Sequence, residues 1–207
     1  MNTLYVTDIK LIESDDAYSK ALSRLNRDRI EKAEKCRKKD DRLRSVAASL
    51  LLDTGLSAYG LSLKEADIFM LPCGKPAIKG RPDIHFSLSH SGDHAVAAFS
   101  DEEVGVDIEK HSIVRDSLIK HVLDEEELRE YTALGGGQDL FFDLWTKKES
   151  FLKKMGTGLT VRPRDIRLKF KDELEKVDFH VYHELKGYSL TLCTGLERPS
   201  LTFISRL

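Results

Sequence analysis

Hydrophobic and polar positions divide this chain into two similar successions of elements. Leu4, Val6 and the stretch to Leu11 predict an opening strand. From Asp15 to about Tyr59 the pattern turns helical. Ala17, Leu22 and Leu25 share one face, a densely charged segment follows, and a long apolar helix runs from Val46 and stops near Gly60. Leu71-Pro72-Cys73-Gly74-Lys75-Pro76 is turn-rich and reads as a linker. Ile84, Phe86 and Leu88 then alternate, His90-Ser91-Gly92-Asp93 turns, and Ala95 to Phe99 returns, which predicts a hairpin. A short strand from Val104 to Ile108 precedes helical segments over 117–123, 125–134 and 139–155. Four strand-like pieces close the chain, at 166–170, 177–182, 188–193 and 201–204. Strand, helices, strands therefore occur twice. The expected fold is α+β in two halves, 1–103 and 104–207, with no Ser/Gly linker and no local sequence repeat between them.

Composition narrows the function classes. A chain of 207 residues fits one domain or two small ones and buries roughly 70% of its unfolded surface. With 33 Lys+Arg against 35 Asp+Glu the net charge is −2, which argues against a globally basic nucleic-acid binder. No apolar run approaches the ~18 residues of a membrane span, and the acidic start lacks the pattern of a signal peptide. Cys36, Cys73 and Cys193 lie far apart without a C-x-x-C pair, so neither a zinc site nor a disulfide framework is expected. A cytoplasmic protein is the default.

Four stretches carry candidate chemistry. In Gly105-Val106-Asp107-Ile108-Glu109, a strand points Val106 and Ile108 to one face and Asp107 and Glu109 to the other. Paired carboxylates suit a solvated acidic edge, or a hard cation such as Mg²⁺ held by oxygen ligands. In Trp145 through Lys153, helical spacing stacks Trp145, Glu149 and Lys153 on one face. That pattern suits an amphipathic helix with an ordinary Glu–Lys pair, or a carboxylate set against apolar surface that needs a partner. Phe86-Ser87-Leu88-Ser89-His90-Ser91-Gly92 puts hydroxyls and an imidazole beside a turn. It has no G-x-S-x-G elbow for a hydrolase, and His85, His90 and His94 match no common zinc spacing. The mixed-charge run from Glu31 to Ser45 lacks interleaved aromatics; it reads as a solvated helix face or a polyanion site. Gly135-Gly136-Gly137 is a connection, not a P-loop.

Taken in order, Gly74-Lys75-Pro76, Phe86 to Gly92, Gly105 to Glu109 and the W-x-x-K-E-S-x-x-K run from Trp145 to Lys153 resemble the surfactin-type 4′-phosphopantetheinyl transferases. The resemblance implies a monomeric pseudo-dimer of two α+β subdomains with coenzyme A in the cleft between them. It implies transfer of phosphopantetheine from coenzyme A to a serine of an apo carrier protein, releasing adenosine 3′,5′-bisphosphate. Asp107, Glu109 and Glu149 would hold Mg²⁺, Glu149 would take the serine proton, and Lys153 would neutralise charge on the phosphate. Lys32, Lys35, Arg44, Ser45, Ser89 and His90 match the family's phosphate-gripping positions, and Lys75 its adenine-flanking one. Between Cys36 and Arg44 the chain is a few residues shorter than the family pattern and lacks its aromatic. A docking surface for the carrier is expected from Ile113 to Leu123, where Leu118, Ile119, Val122 and Leu123 supply apolar contacts. The rivals are a Mg²⁺-dependent nuclease with the same carboxylates, disfavoured by the overall acidity, and a coenzyme A- or carrier-binding module without activity.

Overall fold

The computed structural model describes residues 2–157, 160–166 and 178–206. Its first half comprises β1 (Asn2–Asp8), a 3₁₀ turn (Ile9–Ile12), α1 (Asp15–Arg24), α2 (Arg27–Glu34), α3 (Lys39–Ser57), β2 (Ile68–Met70), β3 (Pro76–Ile78), β4 (His85–Ser91) and β5 (His94–Ser100). There follow β6 (Gly105–Lys110), α4 (Asp116–Val122), α5 (Glu125–Ala133), α6 (Gln138–Met155), β7 (Asp178–Tyr182), β8 (Tyr188–Thr194) and β9 (Leu201–Ile204). This is an α+β fold. Among the described residues no helix is long and apolar enough to cross a membrane.

The continuous helical expectation from Asp15 onward is broken by capping side chains. Ser14 accepts from the Ala17 N–H to start α1, and Asn26 accepts from the Arg29 N–H to start α2. The expected linker at 71–76 is the tip of a small hairpin, in which β2 and β3 pair antiparallel with Met70 opposite Pro76. Gly74 supplies the left-handed conformation that the tip requires, at φ +88°. The strand expected at 166–170 falls outside the described residues save for Ile166, which lies in no strand.

Both halves repeat one topology. In each, the opening strand lies antiparallel beside the last strand of the hairpin, giving the orders β4-β5-β1 and β6-β8-β7. The chain's last strand then crosses back, and β9 pairs in parallel with the outer side of β1. Alternation along the strands divides each sheet into two faces. Ala95, Ala97 and Phe99 of β5 meet α3, which is buried around most of its circumference, whereas Val96 and Ala98 turn the other way. These residues join Leu4 and Val6 to meet Val106, Ile108, Leu190 and Leu192 of the second sheet. The layers run α3, first sheet, second sheet, α6.

The outer face of the second sheet is polar, and α6 covers it. Thr146 bonds Thr191 at 2.8 Å, and Ser189 donates to Asp143 at 2.6 Å while contacting His111 at 2.9 Å. Gly105 permits this approach. A Cβ there would fall 1.9 Å from the Ser150 carbonyl oxygen and 2.5 Å from the Lys154 nitrogen, both backbone atoms of α6. Gly105→Ala is therefore expected to cost about 1–3 kcal/mol through overpacking and to shift α6 against β6. Thermal denaturation would register the loss, and a variant that melts with the wild type would refute the close approach.

Candidate active site

The site is built where β4, β6 and α6 meet. On β6, Val106 and Ile108 enter the core between the sheets, so Asp107 and Glu109 face α6, as strand alternation requires. On α6, Glu149 and Lys153 stand one turn apart on the side that meets them. The Lys153 ammonium donates to Asp107 Oδ1 at 2.7 Å and to Ser89 Oγ at 2.9 Å, while Ser89 itself donates to Asp107 at 2.8 Å. Lys153 is in the last turn of α6, which Gly156 closes at φ +69°. Gly156 and Thr157 return hydrogen bonds to the Lys153 and Leu152 carbonyls, which fixes the register of that turn.

Alternating serines on β4 join the two sheets. Ser87 accepts from the Val106 N–H at 3.1 Å, Ser89 reaches Asp107, and Ser91 donates to Glu109 at 2.8 Å while accepting from the Lys110 N–H at 3.0 Å. The motif from Phe86 to Gly92 therefore aligns the carboxylate strand against the neighbouring sheet. Ser87 and Ser91 thus fasten β4 to β6, a role that sequence reasoning did not assign them; the period-2 run of serines is the available signal.

The carboxylates carry more negative charge than the protein compensates. Burial first, then the Asp107 carboxylate, push Glu109 up to about 7, against the opposing hydrogen bond from Ser91. The same two causes in the same order raise Glu149, while Lys153, His121 and a hydrogen bond from Trp145 oppose them. Asp107 is 4% exposed, and its Oδ2 is buried without a hydrogen-bond partner. Among the described residues no group of three His, Cys, Asp or Glu side chains has closed to metal-holding distance. The chemistry of the donor set nevertheless fits a hard divalent cation: all its donors are oxygens, one carboxylate oxygen is orphaned, and the carboxylates repel one another.

Two cavities flank this cluster. One, of about 390 Å³, is lined by Ile68, Met70, Pro76, Phe86 and Leu88 with Arg29, Lys32 and Lys153 at its polar side. The other, of about 200 Å³, is lined by Arg29, Lys32, Ser45, Ser89, His90 and Lys153. Lys32, Ser45, Ser89 and His90 are thus brought together, while Lys35 lines neither cavity. Arg44 points elsewhere: it donates to the Gly92 carbonyl at 2.7 Å and pairs with Asp41, bracing the β4–β5 turn. Lys75 lends its side chain to the larger cavity, but its ammonium is turned inward. There it pairs with Glu103 and donates to the Val104 and Lys154 carbonyls at 3.1 and 3.0 Å, tying the β2–β3 tip to the end of α6.

The expected docking residues need correction. Val122 and Leu123 belong to the core formed with Tyr131, Phe141 and Phe142, so neither can meet a partner. Leu118 and Ile119 pack on that core and remain partly exposed. A hollow of about 910 Å³ beside them is lined by Ser112, Ile113, Arg115, Ser117, Leu118 and His121, and Ile113 is 88% exposed. Lys148, the lysine of the W-x-x-K-E run, is also buried. Its ammonium donates to the Val122 carbonyl at 2.7 Å and pairs with Glu127, away from the carboxylate cluster.

Known proteins resemble this chain in sequence. The model of the 4′-phosphopantetheinyl transferase superfamily matches residues 103–193, the part that contains β6 and α6. A 4′-phosphopantetheinyl transferase of Bacillus subtilis is 33% identical over 181 residues, covering 80% of this chain and 81% of its own. The transferase Sfp of Bacillus subtilis strain 168 is 30% identical over the same shares. The L-aminoadipate-semialdehyde dehydrogenase-phosphopantetheinyl transferase of Xenopus laevis is 35% identical over 102 residues, 42% of this chain and 34% of its own. With a relative of that identity matched along most of both chains, and the superfamily's model falling on the carboxylate strand and its covering helix, the chain belongs to the 4′-phosphopantetheinyl transferase superfamily.

Proposed function

We propose that this protein transfers the 4′-phosphopantetheine group of coenzyme A to a serine of an apo carrier protein, with Mg²⁺, releasing adenosine 3′,5′-bisphosphate. The observation that carries this reading is the juxtaposition of Asp107, Glu109, Glu149 and Lys153 with two cation-lined cavities. The apolar wall of Ile68, Met70, Pro76, Phe86 and Leu88 suits a nucleobase, and the smaller donor-rich cavity suits phosphate. In the reaction the serine oxygen forms a bond to the β-phosphorus of coenzyme A, and the bond from that phosphorus to the bridging oxygen breaks. Glu149, whose basicity is raised by burial and by Asp107, takes the serine proton directly or through water. Lys153 supplies positive charge where the equatorial oxygens accumulate negative charge. Asp107, Glu109 and Glu149 are the residues that would hold Mg²⁺, which when bound polarises the phosphates and orients them for in-line attack. The carrier approaches the hollow at Ile113, Leu118 and Ile119, and the protein acts as a cytoplasmic monomer.

The test is the intact mass of an apo-carrier domain after incubation with the protein, coenzyme A and Mg²⁺, with EDTA in a parallel sample. The expected result is a gain of one phosphopantetheine that disappears with EDTA. No gain on peptidyl, polyketide and fatty acid carriers, with coenzyme A still bound, would overturn the transferase reading in favour of a binding module.

A further inference from the structure

The two ends of β6 are tied to α6 in different ways, and the carboxylate cluster lies between them. At its start, Gly105 lets the backbone of α6 come close, beside Ser150 and Lys154. Just past its end stands His111, whose backbone N–H donates to the Gly187 carbonyl at 2.8 Å. The ring is held at both nitrogens. Its Nδ1 lies 3.0 Å from the Asp139 carboxylate in the first turn of α6. Its Nε2 lies 2.9 Å from Ser189 Oγ, which gives its one proton to Asp143 and so accepts from the ring. Ser189 in turn stands opposite Glu109 in the register of β6 and β8.

A row of stacked rings leads from His111 towards the reacting centre. The imidazole lies on Phe142 with centroids 5.1 Å apart and planes at 12°, and Phe142 lies on Trp145 at 5.7 Å and 15°. Phe141 also meets the indole, edge-on at 5.8 Å. Phe142, Trp145 and Glu149 follow one another at three and four residues, so they share one stripe of α6. At the end of the row the Trp145 indole N–H donates to the Glu149 carboxylate. We propose that His111 is a positioning residue for the transfer: clamped by Asp139 and Ser189, it fixes the planes of Phe142 and Trp145, and with them the indole that holds Glu149 in place for the serine proton. The proposal rests on the transferase reading and deepens it, since His111 acts through the rings and not on the substrate.

Trp145 is the chain's single tryptophan, so its fluorescence reports on this row directly. Two measurements on His111→Ala test the assignment: transfer kinetics with coenzyme A and apo-carrier each varied, and acrylamide quenching of Trp145 without substrates. The expected kcat is lower by at least about tenfold, as for a base displaced from its aligned position. Both KM values are expected to stay within about twofold of wild type, and quenching of Trp145 to increase. His111→Phe keeps the stacked plane and fills the space but loses the polar clamps. It is expected to fall between His111→Ala and wild type in both measurements, and it carries the test by itself if His111→Ala does not fold. Unchanged kcat, or a lower kcat with wild-type quenching, would overturn the proposal. A raised KM for the carrier alone would overturn it too, and make His111 part of the docking surface. Each of these leaves the transferase reading standing. A wild type that modifies no carrier would overturn that reading, and this proposal with it.

Discussion

Glu149→Gln is expected to reduce phosphopantetheine transfer by at least about 10³-fold while the protein stays folded. Two losses combine. A positioned general base contributes roughly 10²–10⁴-fold, and the amide also removes one of the anionic oxygens proposed to hold Mg²⁺. The substitution is nearly isosteric, so the contacts of the side chain with Trp145 and the surrounding helix keep their shape. Its effect on stability has a definite sign. Burial and Asp107 already disfavour the ionised form of Glu149, so a neutral amide relieves repulsion within the carboxylate cluster. The metal-free variant should melt at or slightly above the wild-type temperature, and Mg²⁺ should raise its melting point less than it raises that of wild type. Intact-mass kinetics on an apo-carrier, read beside thermal denaturation with and without Mg²⁺, separate these effects. Transfer within tenfold of wild type would remove Glu149 from the proton-accepting role.

The site was legible wherever a fixed period decides which side chains face together. Period two on β6 gave Asp107 and Glu109 a common face opposite Val106 and Ile108, and the helical period on α6 aligned Glu149 with Lys153. The same logic found the β4–β5 hairpin and the helices α4, α5 and α6. What it could not supply was the partner across each face. Lys75 reads as a cation beside the nucleotide and Lys148 only as the lysine of a motif, yet both end on buried carbonyls, because their long stems reach from the surface of one element to the terminus of another. Val122 and Leu123 read as an apolar patch open to a partner, whereas α5 and α6 fold over them.

Register along α2 was hidden for a related reason. Arg29, Lys32 and Lys35 are spaced at one turn and are equivalent in a linear pattern. The Asn26 cap fixes where the helix begins, and the short passage from Cys36 into α3 fixes where it ends; the first two then border the cavities. The return of β9 to the edge of β1 is likewise a pairing of chain ends, with Leu201 opposite Leu4, and no local pattern encodes it. These non-local contacts give the site its alignment. Ser87, Ser89 and Ser91 hold β4 to β6, Thr146 and Asp143 hold α6 to β8, and Lys75 fastens the cavity wall to the helix carrying Lys153. Phosphoryl transfer depends mainly on positioning and charge, so these struts belong to the chemistry as much as to stability.

Lys148→Met is expected to be the most destabilising single change considered, at about 3–5 kcal/mol, the range for removing one partner of a buried ion pair. Lys148 is 0% exposed. Its ammonium holds the Val122 carbonyl at the end of α4 and the Glu127 carboxylate in the first turn of α5, so one side chain gathers three helices. Glu127 also accepts from the Asp124 N–H at 3.0 Å, as the reciprocal half of the box that starts α5. Methionine fills the volume of the stem but takes the Lys148 cation from a buried carboxylate and the donor from a buried carbonyl. For a chain of this length the melting temperature should fall by about 10 °C. Replacing both partners, as in Lys148→Met with Glu127→Leu, should recover part of the loss, since an apolar pair avoids burying the carboxylate apart from Lys148. Because the Lys148 ammonium lies away from Asp107, Glu109 and Glu149, the transfer rate per folded molecule should stay within a few-fold of wild type at low temperature. A melting temperature unchanged to within about 3 °C, with activity abolished, would reverse the assignment and make Lys148 a participant in the reaction instead of the fastening between α6 and the helices before it.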